Sequence, residues 1–186
     1  MKIERLDING VWLGQSPILA DDRGQFREWF KARDFSEATG RKFDVQQSNI
    51  SSSKKGVLRG IHYSIAPGGQ GKWVTCVVGS IWDVVVDIRP SSPTYKKWVG
   101  MQLSEGDGKS IFISEGLGHA FISLEENSVI SYLLTNAYSP SEEFEINPLD
   151  PELAIGWPKS LTLIMSAKDL SAPSLHARYL EGKLPS

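Results

Sequence analysis

Short apolar runs rich in valine, isoleucine and tryptophan alternate with turn residues along most of this chain, and this pattern constrains the fold more than any other feature. The 186 residues include 17 glycines and 10 prolines, which separate the runs at intervals too short for long helices. The pattern is typical of an all-β sandwich or barrel, and the length predicts a single domain over residues 1–186. The segments predicted as strands are 25–30, 45–51, 58–64, 73–78, 81–89, 99–103, 110–113, 120–124 and 129–135.

Local signals add turns and one early helix to this outline. The Gly-Ser pair at 79–80 predicts a tight hairpin, because glycine supplies the positive φ that such turns require. Asp34 is expected to cap a short helix ending at Ala38, with Gly40 as its left-handed stop. From Pro140 onward, Pro148, Pro151, Pro158 and Pro173 favour a segment that wraps the sheet rather than another strand.

Composition excludes several classes of protein. A formal net charge of -2 argues against a protein that coats nucleic acid. No apolar stretch approaches the ~20 residues of a membrane span, so no membrane association is expected. The lone cysteine, Cys76, cannot form an intrachain disulfide and is typical of a reducing compartment, so we expect a cytoplasmic protein.

His62 lies on a predicted strand beside Arg59 and Gly60, and this is the most informative local feature for function. Imidazole titrates near pH 6.5 and can therefore exchange protons at neutral pH; the alternative is a core histidine satisfied by one hydrogen bond. Strict alternation sends Arg59 and His62 to opposite faces, so both reach one site only if Gly60 forms a bulge.

The predicted strand 81–89 carries alternating charges. Period-two alternation places Asp83, Asp87 and Arg89 on one face, which is expected to line the barrel. For Asp87, a structural ion pair with Arg89 is an equally good interpretation.

A barrel with histidines raises the possibility of a metal site. Metal-binding cupins place two histidines two residues apart, but Gly60 and Ser64 occupy those positions around His62. No metal and no cofactor are therefore expected.

A series of short motifs, ordered along residues 3–175, resembles the dTDP-4-dehydrorhamnose 3,5-epimerase family. The motifs are Asp22-Arg23-Gly24-Gln25-Phe26, Gln47-Ser48-Asn49, Gly56-Val57-Leu58-Arg59-Gly60-Ile61-His62-Tyr63, Lys72, Asp83-Val84-Val85-Val86-Asp87-Ile88-Arg89, Ser92-Pro93-Thr94, Gly116-Leu117-Gly118-His119-Ala120-Phe121, Tyr132, Tyr138, Asp150-Pro151, Trp157-Pro158 and Ser166-Ala167-Lys168-Asp169. The resemblance implies a metal-free, cupin-like jelly roll, a homodimer and a dTDP-4-keto-6-deoxyhexose substrate.

Epimerisation next to a carbonyl needs groups on both sides of the sugar ring and a cation near the enolate oxygen. His62 suits the base, Asp169 its orienting partner, Tyr132 the opposed acid and Lys72 the cation, and these assignments match the family's pattern. Taken without the resemblance, Tyr132 could equally be a core aromatic, Asp169 a turn cap and Lys72 a solvated loop residue.

The resemblance also implies substrate-binding residues. Arg59, Arg23 and Lys168 are candidate diphosphate partners, since cations match phosphate oxygens. Tyr138 shares strand parity with Tyr132 and is expected near the sugar or the base. The family pattern places Gln47, Asn49 and His119 around the nucleotide sugar, and draws Arg23, Phe26 and Glu28 from the neighbouring subunit.

Two departures from the family's usual wording leave the product open. Ser64 stands where most members have glutamine, and Glu115 opens a loop that usually begins with proline. Inversion at both C3 and C5, at C3 alone or at C5 alone all remain compatible. A non-catalytic sugar-nucleotide-binding cupin would not need the His62 and Asp169 pair, and a 3,4-ketoisomerase would not need an opposed acid such as Tyr132.

Overall fold

The computed structural model describes residues 1–185, and strands form most of its regular structure. Three short helices accompany them: α1 (Ala32–Thr39), α2 (Ala167–Leu170) and α3 (Leu175–Leu180). The strands are β1 (Lys2–Arg5), β2 (Val11–Gln15), β3 (Leu19–Asp21), β4 (Gly24–Phe26), β5 (Gln47–Ser53), β6 (Leu58–Ser64), β7 (Lys72–Val78), β8 (Ser80–Asp87), β9 (Trp98–Ser104), β10 (Lys109–Ile113), β11 (Leu117–Ser123), β12 (Ser128–Leu134) and β13 (Glu143–Glu145).

Two antiparallel sheets pack face to face. One has the order β1-β2-β10-β7-β12-β5, the other β13-β6-β11-β8-β9, and β3 pairs with β4 as a separate arm. Aliphatic side chains from both sheets meet between them, including Val74 of β7, Ile130 of β12 and Val85 of β8. This arrangement is a cupin-like jelly roll, so the predicted all-β class is confirmed.

The carboxyl-terminal segment covers the outer face of the five-stranded sheet. Ile146, Leu153 and Leu175 pack there against Val84 and Val86 of β8. The wrapping predicted for this segment is therefore confirmed. It also adds β13 to the sheet edge, however, so the expectation of no further strand was wrong.

Three local predictions need correction. Gly79 has the expected positive φ of 70°, but it leads from β7 in one sheet to β8 in the other, so no hairpin forms there. The strand predicted at 25–30 ends at Phe26, and beyond it the Arg27 guanidinium donates to Thr75 Oγ1 at 2.7 Å.

The early helix begins before Asp34 and is not capped by it. Its N-cap residue, Lys31, provides no side-chain cap, and Asp34 instead accepts a hydrogen bond from the Met1 ammonium at 2.8 Å. Gly40 ends the helix in the left-handed conformation, as predicted.

A bulge in β6 brings Arg59 and His62 to one cavity. His62 pairs with His119 and Arg59 with Phe121, so Gly60 and Ile61 together oppose the single residue Ala120. Gly60 has a φ of 123°, and a Cβ there would lie 2.4 Å from that of Ala120. The predicted bulge is confirmed, and glycine is required at this position.

Candidate active site

One open cavity lies between the two sheets, with α2 at its rim. It has a volume of about 310 Å³ and is lined by Gln47, Asn49, Arg59, His62, Gln70, Lys72, Tyr132, Leu134, Tyr138, Glu143, Phe144, Ser166, Lys168 and Asp169. A deeper hollow of about 180 Å³ shares Arg59, His62, Lys72 and Tyr132 with it and adds Ser51, His119, Phe121 and Ile130. The four residues predicted for catalysis therefore line one continuous space.

His62 and Asp169 form a hydrogen-bonded pair across 107 residues of sequence. His62 Nε2 lies 2.6 Å from Asp169 Oδ1. Ser166 caps α2: its hydroxyl accepts from the Asp169 N–H and donates to Asp169 Oδ2 at 2.9 Å. A helix of a single turn thus fixes the carboxylate from two sides and aims it at the imidazole.

The surroundings of Asp169 keep its carboxylate ionised at neutral pH. Burial alone would raise the pKa of Asp169, but hydrogen bonds from His62 and Ser166 and the charges of His62 and Lys168 outweigh it, so the pKa lies below its ordinary value. An ionised carboxylate in this position fixes the imidazole ring and stabilises its protonated form.

A second histidine–aspartate pair lies deeper between the sheets. His119 Nε2 is 2.8 Å from Asp83 Oδ2, and both side chains are buried. Within residues 1–185, Asp83 Oδ1 has no hydrogen-bond partner. Asp83 lies on the inner face predicted from strand alternation, but sequence spacing gave no sign of its pairing with His119.

Asp87, on the same strand, has a structural role. It accepts hydrogen bonds from Arg89, Ser92 and Thr94. The ion-pair interpretation of Asp87 is therefore the right one, and its expected place on the cavity wall was wrong.

Lys72 places an amino group in the cavity wall at the start of β7. It is only 9% exposed. Burial lowers the pKa of Lys72, while the carboxylates of Glu143 and Asp83 act in the opposite direction. These two carboxylates favour the charged form of the lysine and so oppose the effect of its burial.

Tyr132 and His62 belong to opposite sheets and line the same cavity. Tyr132 lies on β12, paired with β5 and β7, whereas His62 lies on β6 of the other sheet. The phenol and the imidazole therefore approach a bound molecule from opposite walls.

The residues expected around the nucleotide sugar divide into two groups. Gln47, Asn49, Arg59, Tyr138 and Lys168 line the open cavity, as His119 lines the deeper hollow. Strand parity was the wrong argument for Tyr138, because β12 ends at Leu134. A hydrogen bond from the backbone N–H of Tyr138 to Gln47 Oε1, at 2.9 Å, holds Tyr138 at the cavity rim.

Arg23, Phe26 and Glu28 are not brought to the cavity within one chain. Arg23 pairs with Asp21 on the β3–β4 arm, and Glu28 pairs with Lys31. Phe26 is 62% exposed. Their contribution to the site of a neighbouring subunit stays a prediction.

Sequence reasoning missed five residues that line the cavity, one of which is Leu134 on β12. The other four are Gln70, Glu143, Phe144 and Ser166. Glu143 and Phe144 were missed because β13 was not predicted. Ser166 could have been found, because a serine three residues before Asp169 is a recognisable helix-capping signal.

Ser64 and Glu115, the two departures from the family pattern, both form local hydrogen bonds. Ser64 Oγ accepts a hydrogen bond from the Ala66 N–H. Glu115 accepts hydrogen bonds from Arg41 and from Ser114. Both residues thus stabilise loops that flank the β6 and β11 strands.

Across residues 1–185, no three His, Cys, Asp or Glu side chains are placed to hold a metal ion together. In the same part of the chain, no helix combines the length and apolar character needed to cross a membrane.

The jelly roll and its cavity, with a histidine on one wall and a tyrosine on the other, define a protein suited to acid–base chemistry on a bound molecule. Residues 5–177 match the family model described as dTDP-4-dehydrorhamnose 3,5-epimerase. The chain belongs to this family of isomerases.

Individual relatives agree with this assignment. The dTDP-4-dehydrorhamnose 3,5-epimerase of Mycolicibacterium smegmatis is 44% identical over 186 residues, which is 100% of this chain and 92% of the relative. The dTDP-4-dehydrorhamnose 3-epimerase of Streptomyces niveus is 42% identical, over 100% of this chain and 89% of its own length. Among solved structures, the 4-keto-6-deoxy sugar epimerase of the novobiocin gene cluster of Streptomyces spheroides superposes with a TM-score of 0.97 at 42% identity, covering 100% of this chain and 93% of that one.

Proposed function

We propose that this protein inverts C3 and C5 of dTDP-4-keto-6-deoxy-D-glucose and releases dTDP-4-keto-L-rhamnose. The observation that carries the proposal is the placement of His62 and Tyr132 on opposite walls of one cavity, with Lys72 on the same wall as Tyr132. The relative from Mycolicibacterium smegmatis supports the same substrate and the same two inversions.

The chemistry follows from the position of the carbonyl. The hydrogens on C3 and C5 are both α to the C4 ketone, so loss of either proton leaves an enolate with its charge on O4. Inversion requires that a proton leave one face of the ring and another return to the opposite face. A base, an opposed acid and a cation at O4 are therefore the minimum set.

His62 takes the proton from the ring carbon. Its partner Asp169 holds the imidazole in one orientation and stabilises the imidazolium that forms. The side chain of His62 is 43% exposed, so it can reach a sugar in the open cavity.

Tyr132 returns a proton from the opposite wall. It lies on β12, and its ring packs against the inner apolar core, which fixes the direction of the hydroxyl. Because the acid and the base belong to different sheets, the reprotonated carbon acquires the inverted configuration.

Lys72 stabilises the enolate oxygen. A buried ammonium acts at short range in a medium of low dielectric constant, where a charge on O4 is hardest to form without a partner. Glu143 and Asp83 favour the protonated form of Lys72 that this role needs.

The remaining cavity residues suit the nucleotide. Arg59, whose guanidinium is already held by Ser53 Oγ at 3.1 Å, and Lys168 supply positive charge for the diphosphate. Gln47, Asn49, Tyr138 and His119 supply hydrogen bonds and an aromatic surface for the sugar and the base.

A homodimer would complete the site. Leu19 and Phe26 of the β3–β4 arm are exposed, as is Ile50 on β5 at the edge of the six-stranded sheet. Unpaired edges and exposed apolar groups favour covering by another chain. In such a dimer, Arg23, Phe26 and Glu28 would reach the neighbouring cavity. We place the enzyme in the cytoplasm, where the free thiol of Cys76 is stable.

A C3-only epimerase is the second candidate, favoured by the 3-epimerase from Streptomyces niveus at 42% identity. A non-catalytic binding module is less well supported, because it has no use for the Asp169 carboxylate held against His62.

Proton NMR of dTDP-4-keto-6-deoxyglucose incubated with the enzyme in deuterium oxide tests the proposal. We expect deuterium at both C3 and C5, because each inversion passes through its own enolate. Exchange at one carbon alone would identify a mono-epimerase. Exchange at neither carbon would overturn the epimerase proposal.

A further inference from the structure

We propose that Glu145 is a positioning residue that links the binding of an anionic group at Lys168 to the orientation of Asp169 against His62. The inference rests on the proposed function, because the anion is taken to be the diphosphate of a nucleotide sugar. Glu145 does not line the cavity and is not a reacting group. It acts through its two neighbours in the structure, His62 and Lys168.

The backbone places Glu145 directly beside the base. In the pairing of β13 with β6, Glu145 stands opposite His62, and reciprocal N–H to carbonyl bonds between Ile61 and Ile146 hold this register. Directly opposed residues in antiparallel strands direct their side chains to the same face. Glu145 and His62 therefore both face α2.

The side chains then close a ring. Lys168 Nζ lies 3.0 Å from Glu145 Oε2, and the next residue along α2, Asp169, lies 2.6 Å from His62. The ring runs from the His62 backbone to Glu145, through Lys168 to Asp169, and back to the imidazole. Any force on Lys168 therefore acts on both Glu145 and the carboxylate that orients the base.

Glu145 is firmly held at the other end. Its Oε1 accepts from Arg178 Nη2 at 3.2 Å, and its carbonyl accepts from Arg178 Nε at 2.9 Å. Only 11% of the Arg178 side chain is exposed, against 60% for Lys168. Lys168 is thus the movable member of the network.

An ammonium group has three donors, so Lys168 can keep Glu145 and still bind phosphate oxygens. With Glu145 in place, its flexible stem is directed at the cavity mouth before the ligand arrives. Without Glu145, the Lys168 side chain would be ordered only when the ligand binds, and the entropy lost in that ordering would weaken binding.

The test uses full-length protein labelled with ¹⁵N-histidine, with dTDP as the probe. The observable is the imidazole N–H resonance of His62, assigned by its loss in His62→Asn. In the wild type, saturating dTDP is expected to shift this resonance. In Glu145→Gln, dTDP binding should weaken about two- to five-fold, the range for a partly exposed ion pair, and the shift at saturation should be lost.

Glu181→Gln is the matched control, since Glu181 also binds Arg178 but lies outside the ring. It should behave as the wild type does. Lys168→Met breaks the same ring at an exposed side chain and should also abolish the shift. It therefore replaces Glu145→Gln as the test if that variant fails to fold. An undiminished shift at saturating dTDP in either ring variant would overturn the coupling alone. Failure of the wild type to bind dTDP would overturn the proposed function and the coupling together.

Discussion

Two histidine–aspartate pairs, each with its histidine on the cavity wall, differ in burial and in the origin of the carboxylate. His62 is 43% exposed and takes its aspartate from a helical turn 107 residues later. His119 is 10% exposed, and its partner Asp83 comes from the adjacent strand β8 and is fully buried. The two hydrogen bonds are similar in length, at 2.6 and 2.8 Å.

This difference separates a pair suited to proton transfer from a pair suited to shaping the site. A general base must contact its substrate and then exchange its proton with solvent, and the exposed position of His62 allows both. A buried carboxylate that loses its hydrogen-bonded partner destabilises the fold, so the stability of the protein depends on both His119 and Asp83. Asp83 also favours the charge on Lys72 and so contributes to the cavity's electrostatics.

The largest expected effects come from removing each histidine in turn. His62→Ala should lower the rate of turnover and of solvent exchange by ~10²–10⁴, because general base catalysis is lost. The free energy of unfolding should change by about 1 kcal/mol or less, since Asp169 keeps the Ser166 hydroxyl. Steady-state kinetics and denaturant unfolding measure the two quantities.

His119→Ala should instead act mainly on stability. It leaves the buried Asp83 carboxylate without its partner, and the loss of one member of a buried pair costs about 3–5 kcal/mol. Equal losses of stability in the two variants would show that the pairs do not differ in the way described above.

A smaller effect should appear in the pH dependence of stability in Asp169→Asn. Because the folded-state pKa of Asp169 is lowered, the carboxylate stabilises the fold above the ordinary aspartate pKa of about 4, and this contribution is lost as the pH falls through the folded-state value. The wild type should exceed the variant by about 1–2 kcal/mol at neutral pH, and the gap should narrow as the pH falls below about 4. A gap independent of pH would show that the charge of Asp169 has no role in stability.

Much of the fold was predictable because glycine and alternation are local signals. The β6 bounds agree with the prediction, and the bulge followed from the need to bring Arg59 and His62 together around Gly60. The turn at Gly79 could not be resolved in this way, because a positive φ is required both for a hairpin and for a crossing between sheets. Which sheet a strand joins is decided by long-range pairing.

The candidate site was predictable where residue types and the family pattern agreed, as for His62, Lys72, Tyr132 and Asp169. Glu143 and Asp83 were not assigned to the site because their importance comes from position: one lies on a three-residue strand, the other diagonal to His119 across two strands. The contribution of Arg23, Phe26 and Glu28 stays a prediction, since it depends on a second subunit.

The most direct test of two-sided proton transfer is the behaviour of Tyr132→Phe in deuterium oxide. NMR of the same incubation reports both deuterium at the carbon that His62 deprotonates and the amount of inverted product. Because the variant keeps the base and loses only the opposed donor, we expect exchange to persist while inversion falls by ~10²–10⁴. Inversion at the wild-type rate would contradict the account, and would leave Tyr132 as a core aromatic and Tyr138 or a bound water as the acid.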